Sequence, residues 1–227
     1  MKLTVLIPAF NEAPTIERCL ADVYAKNPGA DLEVVVIDDG STDGTAGAVG
    51  KLSRPGLSCL RHERNRGKGA AIRTGLAAAT GEVVLIQDAD LEYDPADYGR
   101  LLEPFRDPGV QVVYGSRILH PENPMSYRRY YWGGRFLSLF TNLLFQSAIT
   151  DEPTCYKAFR TGLLKSLDLA CEGFEFCPEA TAKVLRRGIP IIEVPIRYRP
   201  RSIQEGKKIR WYDGVTAVWT LLKYRVL

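Results

Sequence analysis

Three runs of aliphatic and β-branched residues, at 3–8, 33–38 and 82–87, alternate in the first ninety positions with segments of helical periodicity. Each run has the length of a strand, and an uninterrupted apolar run such as Val83-Val84-Leu85-Ile86 suits a strand buried on both faces. Between them, residues 11–26 set Ile16, Leu20 and Val23 at helical spacing and stop at Asn27-Pro28-Gly29. Residues 57–61 predict a weaker strand, and the Ala-rich residues 68–80 a second helix. Strands alternating with helices imply right-handed crossovers and a parallel sheet covered on both faces. The simplest strand order is 3-2-1-4, which sets the first and fourth strands side by side where the winding reverses. Ligands in such sheets sit above the carboxyl ends at that point.

The fourth strand runs into Gln87-Asp88-Ala89-Asp90-Leu91-Glu92, three carboxylates at alternate positions. Carboxylates that converge repel one another unless a positive group intervenes, and a hard divalent cation serves that purpose. Asp94-Pro95 also begins a helix, so a surface turn with capping acids is the other reading, and the stretch alone admits both. The expected strand order brings Pro8-Ala9-Phe10-Asn11-Glu12 beside it, with Asp38-Asp39 one strand away. Three acidic strand ends around one crevice favour a metal and nucleotide site. The loop Asn65-Arg66-Gly67-Lys68-Gly69 reads as a tight turn with close helix packing, or as a phosphate contact; neither GxxxxGK[ST] nor GxGxxG spacing is present.

Charge divides the chain. Residues 1–116 carry 12 Lys+Arg against 17 Asp+Glu, a net of −5, while 117–227 carry 18 against 10, a net of +8. An acidic half able to hold a metal precedes a basic half able to hold anions. A fifth strand at 110–117 delivers Arg117 to the same rim. Residues 135–147 predict a helix with Phe136, Leu139, Phe140, Leu143 and Leu144 on one face and Arg135, Ser138, Asn142 and Gln146 on the other. Its apolar face packs on a core, or lies in a membrane interface together with the adjoining cluster Tyr127-Arg128-Arg129-Tyr130-Tyr131-Trp132. Residues 151–160 read as a loop and strand, and a helix ends at Arg187-Gly188. Pro190 and Pro195 make the following strand an edge strand. A basic band then includes Arg197, Arg199, Arg201, Lys207, Lys208 and Arg210, and residues 211–227 form a last amphipathic helix. No run reaches the roughly 18 apolar residues of a membrane span. Five cysteines without a CxxC pair fit unpaired thiols in a reducing cytosol.

The ordered set of these stretches, with Gly115-Ser116-Arg117, residues 151–159, Gly173-Phe174-Glu175-Phe176 and Val194-Pro195-Ile196, resembles the family 2 glycosyltransferases of GT-A fold. Within that family it is similar to the dolichyl- and polyprenyl-phosphate sugar synthases. The resemblance implies a Rossmann-like α/β domain with a mostly parallel sheet, helices on both faces and a C-terminal amphipathic helix. Residues 1–116 would be the nucleotide-sugar half and 117–227 the acceptor half, with membrane-interface helices at 127–148 and 211–227. It implies inverting transfer of mannose or glucose from GDP-mannose or UDP-glucose to a polyprenyl or dolichyl phosphate. The setting would be the cytoplasmic face of a membrane, with Mg²⁺ or Mn²⁺ as cofactor.

By the same resemblance Pro8, Phe10, Glu12, Ile37, Asp39, Asp88 and Ala89 line the nucleotide pocket, and Asp90 with Glu92 holds the metal. Arg117, Arg201, Lys207 and Lys208 clamp phosphates, and Arg117, Arg129 and Arg135 receive the acceptor phosphate. Asp90, Arg117, Arg201 and Glu175 form the catalytic set, with Glu175 as a sugar or acceptor contact. Phe10, Glu92 and Cys155 stand where many relatives have Tyr, Gln and Gly. No nucleic-acid partner is expected, and a membrane-anchoring subunit is a partner left open by the absence of spans. Two other functions compete: transfer to a glycan, glycolipid or small-molecule hydroxyl with Glu175 or Glu179 as general base, and a nucleotide-binding module without turnover.

Overall fold

The computed structural model describes residues 1–124, 128–201, 208 and 210–227, with residues 128 and 129 by their backbone alone. In chain order the first half comprises β1 (Lys2–Ala9), α1 (Ala13–Ala25), β2 (Asp31–Asp38), α2 (Thr45–Gly50), β3 (Leu57–Arg61), α3 (Lys68–Ala78), β4 (Val83–Ile86), α4 (Tyr98–Leu102) and β5 (Val112–Ser116). The second half comprises α5 (Arg128–Phe145), β6 (Lys157–Arg160), α6 (Thr161–Ser166), α7 (Phe176–Arg186), β7 (Ile192–Pro195) and α8 (Trp211–Val226). The described strands form a single α/β domain around a seven-stranded sheet of order β3-β2-β1-β4-β6-β5-β7.

The expected 3-2-1-4 order is present, and β1, β2, β3 and β4 pair in parallel. Alternate residues of these strands feed two cores. Leu3, Val5 and Ile7 meet Ile16, Leu20 and Val23 of α1 on one face. Leu6, Val35, Ile37 and Ile86 meet Ala71, Ile72 and Leu76 of α3 and Phe176 and Ala180 of α7 on the other. Period-two alternation with both faces buried is the physical basis of the continuous apolar runs. Between β4 and β5 lies β6, antiparallel to both, and β7 closes the far edge parallel to β5.

The helix α5 is turned opposite to the usual packing. Ser138 and Thr141 are buried, while Phe136, Leu139 and Leu143 are 56%, 61% and 78% exposed. The polar face is satisfied from within. Ser138 Oγ donates to the Gly134 carbonyl at 3.0 Å and accepts from Glu152 N at 2.9 Å, and Asn142 exchanges two hydrogen bonds with the backbone of Ile149. Buried polar groups that are fully hydrogen-bonded cost little. The helix thus uses its polar face to hold residues 147–152. Against it packs α8, which buries Ala217, Thr220 and Leu221 and leaves Val215, Trp219 and Val226 exposed. No described helix is long and apolar enough to cross a membrane.

Candidate active site

A cleft of about 1580 Å³ opens above the carboxyl ends of β1 and β4. Its floor at one end is Pro8, Ala9 and Phe10 from β1 and its exit, and Asp88, Ala89 and Asp90 from the exit of β4. The parallel register, Ala9 opposite Asp38 and Leu6 opposite Ile86, brings these strand exits together.

Asp39 is anchored from three sides. Its carboxylate accepts from Arg66 N at 2.9 Å and Gly67 N at 2.7 Å, and its Oδ1 lies 2.6 Å from His62 Nδ1. These bonds account for the Asn65–Gly69 stretch as a tight turn. Gly67 has φ +95°, and a Cβ there would lie 2.3 Å from the Glu172 carbonyl oxygen, so only glycine fits. Asp88 accepts from Lys68 Nζ at 2.5 Å. Burial would raise the Asp88 carboxyl, but the charge and hydrogen bond of Lys68 outweigh it and hold the group below the usual carboxylate range.

Asp90 behaves oppositely. Burial, then Asp88, then Glu92 push its carboxyl up to about 7, against the pull of Arg201. Arg201 Nη2 lies 3.1 Å from Asp90 Oδ2 and 3.2 Å from Glu12 Oε1. Lys208 donates to Glu12 Oε1 at 2.7 Å and to the Phe10 carbonyl. Arg201 and Lys208 therefore lie over the acidic strand ends, and Asp90 still feels burial and the charges of Asp88 and Glu92. That is the electrostatic setting a divalent cation relieves. Among the described residues no three His, Cys, Asp or Glu side chains gather to hold a metal by themselves. A cation at Asp90 would accordingly take most of its ligands from a bound diphosphate and water, as small hard cations do.

Farther along the cleft Arg117, delivered by β5, donates Nε and Nη2 to the two oxygens of Asp151, both at 2.7 Å. Its guanidinium also lies 4.9 Å from the Tyr198 ring centroid. Arg135 of α5 lines the cleft and donates to the Thr150 carbonyl at 3.2 Å. The lining also includes apolar residues, Phe136 and Leu137 of α5 and Trp211, Val215 and Val218 of α8.

Not every expected residue reaches this cleft. Ile37 is fully buried in the core, its side chain against Gly75 of α3, because the odd-numbered residues Val35 and Ile37 of β2 face that helix and not the strand ends. Glu175 turns back on its own loop, accepting from Glu172 N at 2.8 Å and Gly173 N at 2.9 Å at the start of α7, and it is not among the lining residues. Glu179 is buried under the helix, accepting from Ala170 N, Cys171 N, Lys183 Nζ and Tyr224 OH. Glu92 lines the cleft, but its oxygens accept from Tyr198 OH at 3.0 Å and Arg201 N at 2.7 Å, tying down the segment after β7. Lys207 lies outside the described residues, as does the side chain of Arg129. Two contributors were not foreseen. Lys68 was legible only as part of a glycine-rich turn, and Asp151 only as one acid of a loop, since the partner of each is distant in sequence.

Known proteins resemble this chain in sequence and in fold. The chain is 28% identical over 99% of its length to a dolichol-phosphate mannosyltransferase of Pyrococcus furiosus, of which it covers 64%. It is 29% identical over its whole length to an undecaprenyl-phosphate mannosyltransferase of Micrococcus luteus, covering 99% of that protein. Among solved structures, glucosyl-3-phosphoglycerate synthase of Mycobacterium tuberculosis superposes in its UDP complex with a TM-score of 0.78 at 23% identity, over 100% of this chain and 80% of that one. The same enzyme with Mn²⁺, UDP-glucose and phosphoglyceric acid gives 0.77. This likeness establishes the GT-A fold. The family model for glycosyl transferase family 2 matches residues 4–168, and the chain belongs to that family of glycosyltransferases.

Proposed function

We propose that this enzyme moves a hexose, with inversion, from a GDP- or UDP-linked sugar to the phosphate of a polyprenyl or dolichyl lipid at the cytoplasmic face of a membrane. The observation that carries the reading is the continuity of the cleft. The same cleft is lined by the acidic ends of β1 and β4, by Arg117 and Arg135, and by apolar residues of α5 and α8. A lipid phosphate matches that combination, cations for the phosphate and apolar walls for the hydrocarbon.

In this reading residues 1–116 form the donor half. Pro8, Phe10, Asp39 and Ala89 bound the nucleoside, and Asp88, fixed by Lys68, borders the ribose and diphosphate. Mg²⁺ or Mn²⁺ held by Asp90 supplies, when bound, positive charge against the departing diphosphate. Arg201 and Lys208, which neutralise Glu12 and Asp90 in the structure, exchange those carboxylates for phosphate oxygens. Residues 117–227 form the acceptor half, where Arg117 and Arg135 seat the acceptor phosphate in line with the sugar carbon. Arg117 enters this role already oriented by Asp151, which limits the entropy lost on binding.

No general base is required. A phosphomonoester, with a second pKa of about 6, is anionic at neutral pH and attacks without giving up a proton. A hydroxyl acceptor needs a base, and both Glu175 and Glu179 are directed away from the cleft, which disfavours that alternative. The exposed apolar faces of α5 and α8 support seating on a lipid surface without a spanning helix. The test is to incubate the protein with Mn²⁺, a panel of nucleotide sugars, and polyprenyl phosphate or free polyprenol. Transfer to the phosphate is expected. Transfer to the alcohol alone would overturn the acceptor assignment, and nucleotide binding without any transfer would reduce the protein to a binding module.

A further inference from the structure

His62 does not line the cleft, yet it holds a residue that does. It follows β3 and extends that strand's pairing by one bond, His62 N donating to the Asp38 carbonyl at 2.9 Å. The residue is 7% exposed, and its ring joins two elements. Nδ1 lies 2.6 Å from Asp39 Oδ1, and Nε2 lies 2.9 Å from Thr74 Oγ1 of α3. At the residue next to Thr74 the helix lies close on the sheet: a Cβ on Gly75 would stand 2.6 Å from Ile37 Cδ1. Hydrogen-bond chemistry then orients the ring. An ionised carboxylate only accepts, so Nδ1 carries the hydrogen, and in the neutral tautomer Nε2 accepts from the Thr74 hydroxyl.

The two oxygens of a carboxylate offer about four acceptor positions. Asp39 Oδ1 uses two of them, on His62 Nδ1 and Arg66 N, and Oδ2 uses one, on Gly67 N. Among the described residues nothing takes the fourth, and Asp39 lines the cleft together with Pro8 and Phe10. We propose that His62 is a positioning residue for nucleoside recognition. By fixing Asp39 Oδ1 it presents the remaining acceptor position of Oδ2 to one hydrogen-bond donor of the bound nucleoside, the ring N–H of uracil or guanine or a ribose hydroxyl.

The need for a third donor is torsional. The last torsion of an aspartate is broad and soft, and the donors Arg66 N and Gly67 N belong to neighbouring residues of one turn. The imidazole adds a side-chain donor that is itself braced on α3, so the carboxylate plane is set before the ligand arrives and less freedom is lost on binding. A ring that only tied β3 to α3 would change stability and leave the choice among nucleosides untouched. The assignment rests on the cleft being the nucleotide-sugar site.

The experiment titrates the full chain, in Mn²⁺, with whichever of UDP and GDP it binds more tightly. The same nucleotide methylated at its ring N–H, its 2′- and 3′-deoxy analogues, and inorganic pyrophosphate are titrated alongside. One analogue is expected to bind wild type about tenfold more weakly than the parent, and which one it is names the donor. His62→Phe binds the parent about tenfold more weakly and shrinks that analogue's penalty to about twofold, while pyrophosphate binds both proteins alike. His62→Asn, whose amide N–H falls near the position of Nδ1, recovers most of the affinity. Should His62→Phe fail to fold, Thr74→Val keeps the contact with Asp39 and removes its brace, and a loss of about threefold confined to the nucleotide is expected. A variant that weakens nucleotide and pyrophosphate equally, keeps the analogue penalty whole or binds the parent as wild type does overturns the proposal, and so does a wild type indifferent to every analogue. Failure of wild type to bind either nucleotide would instead remove the donor-site reading of the cleft, and this role with it.

Discussion

The Arg117–Asp151 pair gives the sharpest separation of structure from catalysis. Asp151 is buried, and it receives three donations from Arg117: one backbone N–H at 2.9 Å and two guanidinium bonds at 2.7 Å. Replacing Arg117 by Met leaves a carboxylate with little solvent and without its bidentate partner, only the charge of Lys157 still acting on it. Removing one member of a buried pair costs about 3–5 kcal/mol; because the guanidinium is 22% exposed, the low end, about 3 kcal/mol, applies. With an unfolding entropy of ~2.1 cal/mol/K per residue, 227 residues convert that into a melting point lower by roughly 6 °C. The acid limb adds a second signature. Burial raises the Asp151 carboxyl, but the charge and hydrogen bonds of Arg117 bring it below the usual range. A depressed carboxyl contributes stability above its unfolded pKa of about 3.9 and loses it as pH falls through the lower folded value. The gap between wild type and Arg117→Met is therefore full at neutral pH and closes below about pH 4. In the double variant Arg117→Met/Asp151→Asn, the neutral amide still accepts from the backbone of residue 117, so most of the melting point returns while sugar transfer stays lost. Urea and thermal unfolding across pH, paired with transfer assays, measure all three. A single variant as stable as wild type, or a double variant no more stable than the single, would refute this account of the pair.

Other expectations follow from neighbouring features. Asp90→Asn lowers turnover by about a hundredfold or more and raises the Mn²⁺ concentration needed for half-maximal rate, measured by metal titration of a chelator-stripped sample. Glu175→Gln leaves the rate and its pH profile with polyprenyl phosphate within a few-fold of wild type, because its Oε1 holds the 172–173 turn; loss of the acid limb of the profile would restore it as a base. Leu143→Asp, at a position 78% exposed, shifts unfolding by no more than about 0.5 kcal/mol but cuts liposome co-sedimentation, since burial of a Leu side chain is worth about 2 kcal/mol. Gly67→Ala, at φ +95° and against the Glu172 carbonyl, destabilises by at least ~1 kcal/mol and weakens nucleotide binding through Asp39.

Much of the donor side was legible because its signals are local. The runs that became β1, β2 and β4 are uninterrupted and β-branched, and the acids fall immediately after them. The acceptor side depends on distant partners. Lys157–Arg160 makes only a four-residue strand whose first side chain is a fully buried lysine, so nothing in its pattern announces a place between β4 and β5. In α5, periodicity separates two faces but cannot say which is covered. Ser138 and Asn142 supply hydrogen bonds that only residues 147–152 can answer. Glu175 and Glu179 illustrate the same limit: an acid beside a site and an acid that braces a loop look alike until their backbone donors are known.

The position of β6 also orders events during synthesis. Strands β1 to β4 are complete when residue 86 has left the ribosome, yet the outer edge of β4 pairs only with residues 158–160. For more than seventy residues of elongation the nascent sheet carries an open edge beside its acidic strand ends, the kind of edge that invites pairing with another chain. Neither β5 nor β7 can cover it, because each reaches the sheet through β6. Stalled or truncated chains ending between residues 90 and 155 should therefore be the aggregation-prone species of this protein, and the arrival of a single short antiparallel strand is what ends that exposure.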